Sequence, residues 1–349
     1  MYIKRKIEDD IFRYLQRPEI LAIVGPRQCG KTTLMRKIYS DLDDAVFLSF
    51  EDQQILSLFE KNIKGFAETY VEGKRHVFID EFQYAKNGGK LLKYLYDLHH
   101  TKIIISGSSA TDLTIKAIRY LVGRVFVLNM YPFDFLEYLS AKDENYKKIY
   151  IKYKANLKEY AVPNLAYEQS ERLRRYYEEY CVWGGYPQVV LTDNKEVKKE
   201  ILRNIYNTYF LRDVKTMLGL IDDFKLGKLI QGLALQIGKM VEYNELSQMS
   251  ELAATTVKKY FNFLSKTYIA ELIKSFYKNK RKEIVKAKKV YFYDTGLRNF
   301  IVNDFRPLAE RTDTGQLIEN GFYIQIIKNG YIPQYWRDKN QNEVDFIID

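Results

Sequence analysis

Between an apolar run and a helical pattern, the chain reads Gly25-Pro26-Arg27-Gln28-Cys29-Gly30-Lys31-Thr32-Thr33. Residues 19–24 before it are mostly apolar and predict a short buried strand, and residues 33–40 after it predict a helix. Two glycines with four residues between them, followed by lysine and a hydroxyl side chain, allow a loop whose N–H groups turn inward around an anion. The helix that follows directs its positive end at the same point. This spacing in this context predicts a phosphate-binding loop (P-loop).

The P-loop pattern assigns chemistry to its residues. The Lys31 ammonium reaches the β- and γ-phosphates of a nucleotide, and the Thr32 hydroxyl coordinates Mg²⁺. We therefore expect ATP and Mg²⁺ to bind at residues 25–33. Cys29 is either a redox-sensitive thiol at a helix N-terminus or a small side chain that fits the loop, and we favour the second interpretation.

A second apolar run, residues 77–79, ends in the carboxylates Asp80 and Glu81. This is the form of a Walker B motif, in which Asp80 holds Mg²⁺ through water and Glu81 polarises the attacking water as a general base. The alternative is a strand end with two solvated acids. The position about 50 residues after the P-loop favours the catalytic interpretation.

Hydroxyl side chains follow another predicted strand, residues 102–105. Ligands of open α/β sheets bind beyond the carboxyl ends of the strands. A hydroxyl at this place can orient the water that attacks the γ-phosphate. Ser108 is the residue predicted for this role, with Ser106 and Ser109 as alternatives; the competing interpretation is a polar turn.

Two arginines, Arg119 and Arg124, flank residues 120–123. An arginine that reaches the γ-phosphate, often from a neighbouring subunit, neutralises charge in the transition state. Arg124 starts the predicted strand 125–130 and is the better candidate, which implies a homo-oligomer. A surface arginine or a structural ion pair is the alternative.

The composition limits the class of protein. The 349 residues include two cysteines, Cys29 and Cys181, which argues for a reducing compartment and against a disulfide framework. The N-terminus is charged and no apolar run approaches the roughly 18 residues that span a bilayer, so we expect a cytoplasmic protein with no membrane partner. The net charge of +10 suits a polyanion such as DNA, although lysine-rich surfaces also simply aid solubility.

Together, the P-loop, the acidic strand end and the polar residues 106–109 resemble the AAA+ ATPase superfamily. The sequences GPRQCGKTT, FIDEFQ, ISGSSA, LVGRV and YPFDFLEYL resemble a large group of prokaryotic AAA+ ATPases with a conserved C-terminal region of unknown role. The resemblance resumes at residues 180–187, 209–214 and 290–297. It implies an AAA+ sheet order, ATP binding, and a C-terminal region that is similar to a winged-helix domain followed by a restriction-endonuclease-like domain.

We therefore predict an α/β fold with an AAA+ parallel sheet and flanking helices over residues 1–140. A helical linker or lid is predicted for residues 141–220, a winged helix for residues 221–300, and a partial PD-(D/E)XK-like α/β domain for residues 301–349. Residues 141–160, which are rich in Lys and Tyr, are expected to form a surface linker or insertion.

Residues 222–237, 244–249 and 254–266 are three helical patterns followed by two strand-like segments, which is a winged helix-turn-helix pattern. In the third helix, four residues are predicted to face the core: Val257, Tyr260, Phe261 and Leu264. Four others are left to meet a DNA groove or backbone: Thr255, Thr256, Lys258 and Lys259. Phosphate contacts are predicted for the basic side chains of residues 278–289: Lys278, Lys280, Arg281, Lys282, Lys286, Lys288 and Lys289. The alternative is a protein-docking or structural module with a solvated basic loop.

Near the end of the chain, Glu319 and Asp345 match the first two carboxylates of the PD-(D/E)XK nuclease pattern. The Glu-x-Lys pair that completes this pattern is absent before Asp349, so we expect either a truncated product or a relic, without metal-dependent cleavage. Three functions compete: an ATPase coupled to DNA binding or remodelling, a nucleotide-dependent switch that docks a protein partner through its C-terminal half, and an ATP-gated nuclease. The missing Glu-x-Lys weighs against the third, and no motif identifies the target, the oligomeric state or the biological process.

Overall fold

The structure is a computed structural model that describes residues 2–107, 120–158, 165–211, 222–277 and 286–348. The chain forms two compact units, Tyr2–Tyr131 and Pro132–Asp349, which we call the N-terminal and the C-terminal unit.

The N-terminal unit is built on a parallel sheet. Its five strands are β1 (Ile20–Val24), β2 (Ala45–Ser49), β3 (His76–Asp80), β4 (Lys102–Gly107) and β5 (Val125–Asn129). Every pairing is parallel and the spatial order is β2-β3-β4-β1-β5. The fold class predicted from the sequence, a P-loop sheet of the AAA type with flanking helices, is confirmed.

Helices cover both faces of this sheet. They are α1 (Ile7–Leu15), α2 (Lys31–Ser40), α3 (Gln53–Lys61), α4 (Ile63–Tyr70) and α5 (Gly88–Leu98), with a 3₁₀ turn at Phe82–Tyr84. All five residues of β1 are buried because alternate side chains enter two different cores. Ile20, Ala22 and Val24 join one core, and Leu21 and Ile23 join the other.

The helical pattern over residues 51–72 is interrupted in the middle. Asn62 leaves the helical conformation, and its side-chain oxygen accepts a hydrogen bond of 3.0 Å from the N–H of Gly65. This N-cap begins α4 as a separate helix. Asp52 caps α3 in the same way, through the N–H groups of Gln54 and Ile55.

The C-terminal unit is largely helical. Its helices are α6 (Phe135–Lys142), α7 (Glu144–Lys158), α8 (Tyr167–Trp183), α9 (Pro187–Val190), α10 (Lys195–Asn204), α11 (Asp223–Leu235), α12 (Tyr243–Ser250), α13 (Ala254–Lys266), α14 (Thr295–Ile301) and α15 (Thr314–Lys328). A π-helical segment, Ile205–Leu211, follows α10, and a 3₁₀ turn lies at Leu308–Glu310. Two antiparallel hairpins complete the unit: β6 (Ala270–Ile273) with β7 (Lys289–Phe292), and β8 (Gln334–Arg337) with β9 (Glu343–Ile347).

The segment expected to be a surface linker or insertion, residues 141–160, contains a regular helix, α7. The side chain of Asp143 accepts hydrogen bonds from the N–H groups of Asn145 and Tyr146 and so caps the start of this helix. Tyr150 then packs edge-on against Phe135 of α6, with ring centroids 5.1 Å apart. A cap and an aromatic contact therefore order this Lys- and Tyr-rich segment as a helix.

Helices α11, α12 and α13 pack on the β6–β7 hairpin around one apolar core. Val257, Phe261 and Leu264 of α13 are buried as predicted, and Tyr260 packs against the same core while half-buried. Thr255, Lys258 and Lys259 lie exposed on the opposite side.

Two glycines of the C-terminal unit make a matched test of this packing. A Cβ on Gly296 in α14 would lie 2.0 Å from the carbonyl oxygen of Trp183, whereas a Cβ on Gly227 in α11 would meet no atom within 4 Å. We expect Gly296→Ala to lower the free energy of unfolding by about 1–3 kcal/mol or more through overpacking. Gly227→Ala should raise it by about 0.5–1 kcal/mol because alanine favours the helix. Denaturant unfolding of both variants measures this, and a Gly296→Ala protein as stable as wild type contradicts the packing described.

Candidate functional site

The predicted site residues meet at one edge of the sheet. Because all five strands are parallel, the loop after β1, Asp80 at the end of β3 and Ser106 near the end of β4 lie at the same edge. Strand β4 lies between β1 and β3, so Ser106 stands between the P-loop and Asp80 in the order of the strands.

The backbone of the loop depends on its two glycines. Gly30 has φ 101° and forms the N-cap of α2. A Cβ on Gly25 would lie 1.9 Å from the carbonyl oxygen of Met130, and the neighbouring N–H of Met130 donates to Val24. Position 25 therefore requires glycine because the backbones at the ends of β1 and β5 approach closely. Position 30 requires glycine because its backbone adopts a left-handed conformation.

Lys31 begins α2 and its side chain is buried. The Nζ atom donates to the carbonyl oxygens of Gly25 at 2.9 Å and Pro26 at 2.8 Å. An ammonium group has three protons. Within the part of the chain that the structure describes, the third proton has no protein acceptor, so it is available to an anion held by the loop.

The buried carboxylate of Asp80 is the centre of a hydrogen-bonded set. Its Oδ2 accepts from the Thr32 hydroxyl at 2.7 Å, and its Oδ1 accepts from the Ser106 hydroxyl and from the N–H of Glu81. A hydroxyl and a carboxylate are hard oxygen ligands of the kind that Mg²⁺ prefers. Thr32 and Asp80 therefore fit the Mg²⁺ site that the sequence predicts.

Of the three serines predicted to orient the attacking water, the structure describes only Ser106. Ser106, an alternative for that role, is fully buried and donates to Asp80. This contact makes it a support for the Asp80 carboxylate, a role the sequence did not indicate. Ser108 and Ser109 lie outside the described residues, and so does Arg119.

Glu81 leaves the strand in an unusual conformation. It has φ 54° and ψ 42°, which costs a residue with a side chain of the order of 1–3 kcal/mol. Its N–H lies within hydrogen-bond distance of Asp80 and of Ser106, and its carboxylate accepts from the side-chain amide of Gln83. The side chain itself is half-buried.

Sequence reasoning missed Arg5. Its guanidinium is buried and donates to the carbonyl oxygens of Cys29 at 2.8 Å and Tyr131 at 2.6 Å. These contacts join the P-loop to the chain that leaves β5. The partners are 24 and 126 residues away, so no local pattern could indicate them.

Cys29 agrees with the interpretation favoured above. Its side chain is fully buried, packs in the core beneath α2, and lies 3.5 Å from the carbonyl oxygen of Met130. A small thiol fits this space, and solvent does not reach it.

Arg124 lies at the opposite edge of the sheet from the P-loop. Its carbonyl oxygen accepts from the N–H of Ile20, the first residue of β1, and its Nε bonds Asp97 at 3.2 Å. Five residues of β1 at about 3.3 Å each put about 15 Å between the two edges. This position is incompatible with a role at the P-loop of the same subunit. The pair with Asp97 fits the alternative of a structural ion pair, and action at the site of a neighbouring subunit stays a prediction.

The prediction that Lys289 contacts DNA phosphates is wrong. Lys289 is buried, and its Nζ pairs with Glu319 at 3.2 Å, Glu343 at 2.5 Å and Asp345 at 3.0 Å. Burial opposes the charge, but the hydrogen bonds that Lys289 donates to Glu343 and Asp345, together with the charge of Glu319, hold the pKa of Lys289 above its usual value. The Lys289 ammonium thus pairs with three carboxylates that lie at least 30 residues away in the sequence and reach it only when the chain is folded.

The other six basic residues of the segment 278–289 differ in whether the structure describes them. Lys286 is exposed, Lys288 is half-buried, and the remaining four basic residues lie outside the described residues: Lys278, Lys280, Arg281 and Lys282.

The structure does bring Glu319 and Asp345 together, as the nuclease pattern implied, but around an internal lysine. Burial raises the pKa of Glu319, which also accepts from the Tyr291 hydroxyl. Over the described ranges, no group of three or more His, Cys, Asp or Glu side chains is arranged to hold a metal ion. The endonuclease-like interpretation therefore stays a prediction.

Comparisons with known proteins agree with this architecture. Residues 17–139 match the family model of an AAA domain, and residues 174–307 match that of a domain of unknown function. An uncharacterized protein of Methanocaldococcus jannaschii is 27% identical over 98% of this chain and 75% of its own length. An uncharacterized protein of Haemophilus influenzae is 26% identical over 94% of this chain and 79% of its own length.

Among solved structures, the Walker-type ATPase PABY2304 of Pyrococcus abyssi covers 86% of this chain and 96% of its own, with a TM-score of 0.54 and 13% identity, which shows a shared fold. Among the residues described here, no helix combines the length and apolar character needed to cross a bilayer. Together with the geometry at the sheet edge, the AAA match and the shared fold support a P-loop ATPase domain of the AAA family at residues 17–139 of this chain.

Proposed function

We propose that this chain binds ATP with Mg²⁺ at its P-loop and hydrolyses it. The observation that carries the proposal is the hydrogen bond between Thr32 and the buried Asp80, directly beside Lys31. This arrangement joins a phosphate-binding loop to a carboxylate at the one edge of the sheet where a nucleotide can reach both.

The loop supplies the binding energy in three ways. Its backbone N–H groups and the N-terminus of α2 favour the phosphates. The Lys31 ammonium donates its free proton to a phosphate oxygen. It also exchanges its hydrogen bonds to the two carbonyl oxygens for hydrogen bonds to phosphate oxygens, which are charge-assisted and stronger. Arg5 and the close approach of Gly25 to Met130 keep the loop in place while this exchange occurs.

Hydrolysis requires a base and a correctly placed water. Mg²⁺, held by Thr32 and Asp80, would neutralise charge that develops on the β- and γ-phosphates. Glu81, one residue beyond Asp80, would accept the proton of the attacking water. Ser106 and the N–H of Glu81 hold the Asp80 carboxylate in its orientation.

Two further roles complete the proposal. Ser108 would orient the attacking water, since it follows Gly107 at the end of β4. Arg124 would act at the site of a second copy of this chain, which makes the active species a homo-oligomer.

The variant Glu81→Gln tests the proposal. It keeps the shape of the side chain and removes the base, so turnover should fall at least about 100-fold while ATP remains bound. Single-turnover hydrolysis and titration of a fluorescent ATP analogue measure the two effects. A Glu81→Gln protein that hydrolyses ATP at the wild-type rate would show that Glu81 is not the base.

Two lysines of α2 provide the binding controls. Lys31→Ala should lose tight ATP binding, whereas Lys37→Ala should bind like wild type, because Lys37 is exposed and pairs with Asp41. Equal affinities of these two variants would remove the basis for the P-loop assignment.

A second candidate function is DNA binding by helices α11–α13 and the β6–β7 hairpin. Three helices followed by an antiparallel pair of strands, packed around one apolar core, are consistent with the winged-helix pattern predicted from the sequence, in which α13 would take the place of a recognition helix. The exposed side of α13 carries Lys258 and Lys259, with no acidic side chain between residues 254 and 266. Docking of a protein partner at the same surface is the alternative.

The double variant Lys258→Ala/Lys259→Ala distinguishes these two uses. If both lysines contact phosphates, the log–log salt slope of duplex binding should flatten by about 0.9 per lost contact, close to 2 units in all. A matched control is Lys225→Ala/Lys228→Ala, since both lysines bond Glu251. Fluorescence anisotropy at several salt concentrations measures the slope. If the α13 variant and its control bind duplex DNA equally, docking of a protein partner becomes the better interpretation.

A further inference from the structure

The Walker B motif accounts for Asp80 and Glu81 but not for the residue that holds Glu81. The Oε2 atom of Glu81 accepts a hydrogen bond from the side-chain amide of Gln83. Among the residues that the structure describes, the other carboxylate oxygen, Oε1, has no protein donor. Glu81 is thus held by one oxygen and open at the other.

Gln83 is itself mounted on a rigid turn. It is the middle residue of the 3₁₀ turn Phe82–Tyr84, in which Tyr84 N–H donates to Glu81 and Ala85 N–H donates to Phe82. Phe82 anchors the turn, because its buried ring packs against both Phe50 and Phe59, with centroid distances of 5.5 and 5.9 Å. The backbone of Gln83 is therefore held in place, and its side-chain amide can orient the Glu81 carboxylate.

The chemistry of the donor matters as well. A glutamate side chain has three rotatable bonds, and holding it in one geometry removes alternatives that cannot contact the water. A lysine or arginine at position 83 would pair with the carboxylate and stabilise its charged form, which makes it a weaker base. A neutral amide orients the carboxylate and leaves it able to accept a proton.

We propose that Gln83 is a positioning residue for the hydrolysis described above: its amide fixes Glu81 by Oε2 so that Oε1 faces the attacking water. This inference rests on the proposed function, because it needs Glu81 to be the base. It adds a residue that acts through Glu81 and does not touch ATP.

The variant Gln83→Met removes the donor and nearly keeps the volume. We expect kcat to fall about 10- to 100-fold, as for other losses of alignment, while KM and the affinity for ATP stay at the wild-type values. The matched control is Gln53→Met, which changes an exposed glutamine of α3 in the same unit and should leave kcat unchanged. Thermal unfolding of each variant separates a loss of alignment from a loss of fold.

A double variant gives the sharper test. If Gln83 acts through Glu81, then Glu81→Gln/Gln83→Met should be no slower than Glu81→Gln alone. A purely structural role predicts instead that the two effects multiply, with ATP affinity and thermal stability falling together, and that result overturns the inference.

The outcomes for the two proposals are separable. If wild type does not hydrolyse ATP, or Glu81→Gln matches it, the proposed function fails and the inference falls with it. If wild type is active and Glu81→Gln is slow, but Gln83→Met keeps the wild-type kcat, then the positioning role of Gln83 alone is wrong.

Discussion

The hydrogen bond between Thr32 and Asp80 links the first turn of α2 to the end of β3. These residues are 48 positions apart, and β4 lies between β3, which ends at Asp80, and β1, which leads into the P-loop and α2. The contact forms only because every strand of the sheet points the same way and β4 lies between β1 and β3. Ser106, on β4, completes the link by donating to the same carboxylate. A buried carboxylate is costly unless it is bonded in this way, so the sheet order and the polar contacts support each other.

Further contacts around this bond fix the P-loop and Glu81 in place. The P-loop is held from below by Arg5 and by the contact of Gly25 with Met130, which ties it to the end of β5. Glu81 adopts a strained backbone conformation, and the turn that follows is anchored by the buried ring of Phe82. Strain of this kind persists only where surrounding packing determines it, and it is concentrated at functional sites. The apolar core beneath the sheet edge thus determines where the polar side chains point.

The sequence predicted the parts of this site that depend on local spacing. The P-loop and the acidic strand end were both identified, because each motif is a short run attached to a strand. Ser106, Arg5 and Gln83 could not be assigned their contacts in this way. Ser106 and Arg5 depend on strand order and on approaches over 24 or more residues, and Gln83 depends on the turn that Glu81 begins.

Lys289 shows the limit of charge patterns. In the sequence it is one of seven basic residues between positions 278 and 289, with nothing to mark it as buried. Its partners Glu319, Glu343 and Asp345 arrive from α15 and β9, at least 30 residues later. Residues 141–160 show a similar limit for secondary structure, since their composition predicts only a surface linker or insertion and does not reveal the contacts of Asp143 and Tyr150 that order the helix α7.

The claim on which this account depends is that Thr32 and Asp80 act as one unit in holding Mg²⁺ with ATP. The affinity for ATP, measured with and without Mg²⁺ in wild type, Thr32→Ala, Asp80→Asn and the double variant, tests it directly. The account predicts that each single variant loses most of the Mg²⁺-dependent part of the affinity and that the double variant loses little more, with a coupling energy within about 0.5–3 kcal/mol. Additive losses, or a wild-type affinity that does not depend on Mg²⁺, would contradict it.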